Sequence, residues 1–159
     1  EADWMAIKSV VDAVETPVVA NGDVVDAASA KDCLEVTGAA GLMIGRGAIG
    51  RPSVFGEIKV GLGWMEHDDL PWVKANSEDW YEKSPVAQSF AARRWCWDKY
   101  IEFSHETAGL QPRWMQRHAV AFTKGLPGAK KIRAVMHGAP TPEAFADGIS
   151  SFLAGKTAQ

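Results

Sequence analysis

The chain has 159 residues, 47% apolar and 23% charged, the balance of a soluble globular protein with room for one ordinary domain or two small ones. It contains no run of about 18 apolar residues, which argues against a helical membrane span, and its start, Glu1-Ala2-Asp3-Trp4, has no signal-peptide pattern and no initiator methionine, so it reads as a piece of something longer. Two cysteines, Cys33 and Cys96, are too few for a disulfide scaffold, and the four histidines show no zinc spacing, so a reducing, cytoplasmic setting without a metal site is expected.

Net charge is -3, but it is unevenly spread. From Lys83 to His137 ten Lys/Arg face three Asp/Glu, giving +7, while the remainder carries seven against seventeen, giving -10. An acidic part joined to a basic part points to a polyanion on one side.

In chain order, Asp3 is placed to cap a helix whose apolar residues Trp4, Ile7, Val11 and Val14 recur at helical spacing. Pro17 stops it. Val18-Val19-Ala20 is a short buried strand of the parallel kind, followed by the turn Asn21-Gly22-Asp23. Residues 26–36 read as a second helix, stopped at Gly38. Gly41-Leu42-Met43-Ile44 is a second strand, ending in Gly45-Arg46-Gly47, and a third helix is expected near Pro52. Strands separated by helices imply a parallel sheet with right-handed crossovers, either a (β/α) barrel or a doubly wound sheet, and two strands close neither. Residues 63–85, with Trp64, Trp72 and Trp80 among acids and prolines, read as a linker docked through its tryptophans. Helices are predicted at 86–107, 112–124, 127–137 and 142–154, with Phe90, Trp97, Ile101, Trp114 and Phe122 as core. The fold class is therefore α/β followed by all-α, with domains at 1–62 and 86–159.

The chemistry concentrates in the two loops that follow the strands. Glycine lets backbone N–H groups approach phosphate oxygens closely, and a following helix adds its positive end. Asn21 offers an amide and Arg46 a guanidinium. A lone Asn-Gly-Asp is equally well a plain strand-to-helix turn. Two such loops in succession, each after a buried strand, favour a phosphate site of the kind barrels build after their last strands.

The segments Ala2-Asp3-Trp4…Ile7, Pro17-Val18-Val19-Ala20-Asn21-Gly22-Asp23 and Thr37-Gly38-Ala39-Ala40-Gly41-Leu42-Met43-Ile44-Gly45-Arg46-Gly47-Ala48 closely resemble the tRNA-dihydrouridine synthase family. Arg117-His118 and the run Lys124 to Ala129 extend the resemblance more loosely. It departs at Ala40, where the family has an acid, at Arg51, where it has Asn, and at Ser53, where it has Trp. The resemblance implies the last β/α units of an FMN-binding (β/α)8 TIM barrel plus a C-terminal helical bundle that binds tRNA. It also implies a monomeric, cytoplasmic oxidoreductase that uses NADPH, through FMN, to reduce uridine to 5,6-dihydrouridine on a flipped-out base. Carried over by position, Asn21, Gly22, Asp23, Gly45, Arg46 and Gly47 hold the flavin phosphate. The family's proton-donating cysteine lies upstream of Ala2-Asp3-Trp4, so no catalytic residue is assigned here, and Cys33 and Cys96 read as packing residues.

Arg93, Arg113, Arg117, His118 and Lys124 are the candidate RNA contacts. A solvated helical face is the plainer reading of the basic residues without the resemblance, and for His118 RNA contact and helix packing are equally open. Two other readings stand beside the synthase segment: a stand-alone RNA-binding helical module with a vestigial barrel remnant, and another FMN barrel enzyme such as a dihydroorotate dehydrogenase relative. The basic helical tail disfavours the latter. The segment 1–60, with open strand edges, is expected to be less stable alone than 85–155.

Overall fold

A computed structural model describes residues 2–155. Two short strands and eight α-helices fall into two compact units. One runs to Ile49 and adds Ser53–His67; the other comprises Gly50–Pro52 and everything from Asp68 onward.

In the first unit, helix α1 spans Trp4–Ala13, and the Asp3 carboxylate accepts the Ala6 N–H at 3.0 Å, the expected cap. Strand β1 (Val19–Asn21) pairs in parallel with β2 (Gly41–Met43), Val19 opposite Gly41 and Asn21 opposite Met43. Each strand differs slightly from its sequence reading: β1 begins one residue later and includes Asn21, and β2 stops before Ile44. Helix α2 (Ala27–Thr37) joins them. Its capping box is Asp26 with Ser29, and Gly38 at φ +66° ends it by donating to the Leu34 carbonyl. Helix α3 (Val54–Gly61) starts two residues after Pro52, because Pro52 and Ser53 form a turn.

The first core is Ala20, Val24, Ala30, Cys33, Val54 and Ile58. Ser53, where the family pattern has Trp, is buried, and its hydroxyl donates to Glu57 at 2.8 Å. The sheet is one-sided and short. Val19 and Met43 stay more than half exposed on it, and Met5, Val10 and Ile49 are exposed nearby in the chain. A two-stranded parallel sheet leaves an unpaired backbone edge on each strand.

The second unit is helical. Helix α4 (Pro71–Lys74) is a single turn; α5 spans Pro85–Glu106, α6 Pro112–Thr123, α7 Ala129–Met136 and α8 Pro142–Leu153. Proline stands at the first turn of α4, α5, α6 and α8, where its missing N–H is not needed. Ser84 and Thr141 cap α5 and α8 through their hydroxyls. The core gathers Trp97, Met115, Ala119, Phe122, Ile132, Phe145, Ile149 and Leu153. Phe90 and Ile101 pack on it half-buried, but Trp114 is 53% exposed, against the sequence expectation. The inward face of α6 is taken by Met115, Ala119 and Phe122, and Trp114 lies about 100° of helical turn from Met115.

Residues 68–84 are more than a spacer. Leu70, Trp72, Val73 and Trp80 are buried, and Trp72 lies 6.1 Å from Trp95 of α5. Lys83 pairs with Asp79, and Tyr81 donates to Asp68. Trp64, by contrast, is 63% exposed.

Both cysteines are buried, as their sequence contexts suggested. Burial pushes the Cys33 thiol above its ordinary 9.0 and the Tyr100 phenol above its ordinary 10.0. A raised acid pKa means the folded chain favours the neutral form. The stability this contributes is complete below the unfolded values and is lost as pH climbs through the folded ones. We expect a urea midpoint that is flat from neutrality to about pH 9 and falls above it, with Tyr100→Phe flattening part of that alkaline limb. A wild-type midpoint unchanged to about pH 11 would contradict the assignment.

Candidate phosphate cleft and basic helical face

The two loops after the strands meet in one cleft of about 320 Å³, lined by Asn21, Gly22, Asp23, Val24, Val25, Met43, Gly45, Arg46 and Gly47. All six residues assigned from the sequence to the flavin phosphate are therefore brought together. The parallel register does this: Asn21 and Met43 end their strands side by side, so both loops leave the sheet at the same level. The Asn21 amide donates to the Met43 sulfur at 2.9 Å.

The glycines have separate reasons. Gly22 adopts φ +134°, and a Cβ there would lie 2.4 Å from the Ala2 Cβ. Gly47 is pressed against the first loop, where a Cβ would fall 2.6 Å from the Val24 carbonyl oxygen and 3.2 Å from the Val25 Cα. Gly45 has open space where its Cβ would be, so the backbone on that side is uncovered. Arg46–Ala48 form one 3-10 turn, in which the Ala48 N–H reaches the Gly45 carbonyl and the Ile49 N–H reaches that of Arg46. The N–H groups of Arg46 and Gly47 open that turn and have no acceptor inside it.

Asp23 sits at φ +53°, a left-handed conformation that Asp tolerates better than most residues. One of its carboxylate oxygens accepts the Ala2 N–H at 2.6 Å and the other lies 3.5 Å from the Arg46 guanidinium. The Arg46 side chain is 92% exposed. An ion pair this open is worth about 0–1 kcal/mol, so Arg46 can leave Asp23 for a phosphate at little cost. Asp23 thus anchors the first loop to the start of α1 more than it charges the cleft.

The sequence reading missed the braces. Trp4 donates its indole N–H to the Gly22 carbonyl at 3.0 Å, and Ala2 packs under Gly22. The signal was present, since Ala2-Asp3-Trp4 is one of the runs that carry the resemblance. A phosphate group fits this cleft: two glycine turns, one side-chain amide and an exposed guanidinium whose ion pair with Asp23 is weak. The cleft has no wall for a large flat ring.

The basic candidates divide. Arg93 donates through Nη1 to the carbonyls of Phe122 and Lys124, at 2.9 and 2.8 Å, and so ties α5 to the C-terminal end of α6. Arg133 donates to the buried Thr123 hydroxyl at 3.0 Å. His118 is half-buried, its ring 4.9 Å from that of Tyr100 and tilted 50° to it, an arrangement that serves packing and leaves part of the imidazole accessible. Arg113, Arg117 and Lys124 are exposed on α6 and at its end, with no ion pair among the described residues. No cluster of metal-ligating side chains occurs among the described residues, and no helix there is long and apolar enough to cross a membrane.

The dihydrouridine synthase family model matches residues 1–149. The chain belongs to the dihydrouridine synthase family. A protein of Rickettsia bellii named "Probable tRNA-dihydrouridine synthase" is 31% identical over 95% of this chain and 42% of its own length. One of the same name from Rhodobacter capsulatus is 51% identical over 44% of this chain and 22% of its own length. The tRNA-dihydrouridine synthase B of Vibrio vulnificus is 55% identical over 36% of this chain and 18% of its own length. The chain spans about two-fifths of the length of the curated relatives that it matches most fully.

Proposed function

We propose that this chain is the flavin-phosphate and RNA-binding portion of a flavin-dependent tRNA-dihydrouridine synthase, which reduces uridine in tRNA to 5,6-dihydrouridine. The observation that carries the reading is the single cleft into which all six glycine-loop residues converge. In it, the backbone of Gly22 and of Gly45 to Gly47 would hold the FMN phosphate, Arg46 would add a charge on leaving Asp23, and Asn21 would donate to a phosphate or ribityl oxygen. Bound FMN supplies hydride transfer between NADPH and the uridine ring.

The first unit is the end of a (β/α)8 barrel, which accounts for its open strand edges and exposed Val19 and Met43. The helical unit meets tRNA through exposed cations such as Arg113, Arg117 and Lys124. The proton donor belongs to the part of the enzyme not spanned here, because Cys33 and Cys96 are both buried away from the cleft lining.

The purified chain should therefore retain far less than one FMN per molecule, bind tRNA with an affinity that falls steeply with salt, and leave uridine unreduced. A flavin absorbance band near stoichiometric would contradict the view that the wall for the flavin ring lies outside these residues. An absence of tRNA binding at low salt would contradict the role of the helical unit.

A further inference from the structure

Helix α6 presents an outward stripe of exposed side chains. Successive side chains turn by about 100°, so the burial of Met115, Ala119 and Phe122 aims Arg113, Trp114, Arg117 and Val120 at solvent. Trp114 and Arg117 are one turn apart and neighbours on that face. The Trp114 ring makes no ring contact or hydrogen bond there. Lys124 extends the stripe just beyond the helix.

The charge along the chain on both sides of this tryptophan is of one sign. From Thr107 to Pro142 the sequence contains six Lys/Arg and no Asp or Glu, and neither α6 nor α7 carries an acid. An exposed indole beside two exposed guanidinium groups suits a polyanion that also offers a flat π face. That combination is a nucleic acid strand with an unstacked base.

We infer that Trp114 is a base-stacking platform for a single-stranded or loop nucleotide of the RNA, with Arg113 and Arg117, which lie together on one side of it, taking the adjoining backbone phosphates. A duplex cannot use the platform, because its bases are covered by their neighbours and its backbone reaches only the cations. The inference rests on the RNA-binding role proposed above and assigns a feature of the RNA to a named side chain.

The test is fluorescence anisotropy of the whole chain with a labelled single-stranded oligouridine and with a blunt RNA duplex of equal length, across a salt series. Trp114→Ala should weaken oligouridine binding roughly 5–100-fold with the salt slope unchanged, and should leave duplex binding nearly as it was. Trp114→Phe should restore most of the loss. Arg117→Ala should instead lower the single-strand salt slope by about 0.7. Circular dichroism should be the same for all variants, since Trp114 is on the surface. Trp114→Ala binding oligouridine like wild type, or losing duplex binding equally, overturns the inference and leaves the RNA-binding role standing. Failure of the wild-type chain to bind either RNA overturns both.

Discussion

Trp97→Ala should destabilise the helical unit by roughly 3–5 kcal/mol, the cost of emptying a large aromatic site in a packed core. Trp97 is fully buried in the middle of α5. Its ring meets Phe122 edge-on at 5.4 Å and Tyr100 at 5.3 Å, and its indole N–H donates to the Ala146 carbonyl of α8 at 3.3 Å. One side chain thus touches three helices, and alanine leaves a cavity among rings that cannot all move into it. A unit of this size has about 5–15 kcal/mol of total stability, so the loss is a large share. The expected drop in Tm is more than about 12 °C. Trp97→Phe keeps a ring but loses the hydrogen bond and should cost clearly less. A loss below about 1 kcal/mol for Trp97→Ala in urea denaturation would show that the core closes around the gap.

Gly50→Ala should be nearly as damaging, for a different reason. Gly50 is buried at φ +74°, and its backbone lies against that of α6. A Cβ would lie 2.3 Å from the Ala121 carbonyl carbon and 2.6 Å from both its Cβ and its oxygen. Two of these neighbours are backbone atoms fixed in a helix, so they cannot rotate away. The left-handed conformation adds about 1–2 kcal/mol and the overpacking about 1–3, for a total of roughly 2–5. Gly109→Ala is the control. It has a similar φ of +71° but open space around the position, so it should lose only the conformational part. Equal losses for the two variants would mean that the close approach at Ala121 contributes nothing.

The order of elements was legible in the sequence because the punctuation is local. Pro85, Pro112 and Pro142 open helices, Gly38 closes one, and Asp3 caps one, each through a rule that acts within a few residues. The convergence of the two glycine loops was legible for a similar reason: loops at the ends of adjacent parallel strands must meet. What could not be read depends on distant partners. Arg93 looks like any surface cation until its guanidinium is seen on carbonyls 29 and 31 residues away. Trp114 was assigned to the core on its residue type, but the core-facing stripe of α6 was already filled by Met115, Ala119 and Phe122. In the linker 63–85 the docking of Trp72 and Trp80 was legible, whereas the exposure of Trp64 and the burial of Leu70 were not, because these rest on single positions and not on a periodic face.

Belonging to the dihydrouridine synthase family gives the cleft its meaning, but the cleft's chemistry can be tested without activity. The direct measurement is a titration of the isotope-labelled chain, followed by amide NMR, with FMN and in parallel with riboflavin, which lacks the phosphate. The expected result is that FMN shifts the amides of Gly22 to Val24 and Gly45 to Gly47 and that riboflavin leaves them in place. Equal shifts with riboflavin, or FMN shifts confined to residues elsewhere, would contradict the phosphate cleft.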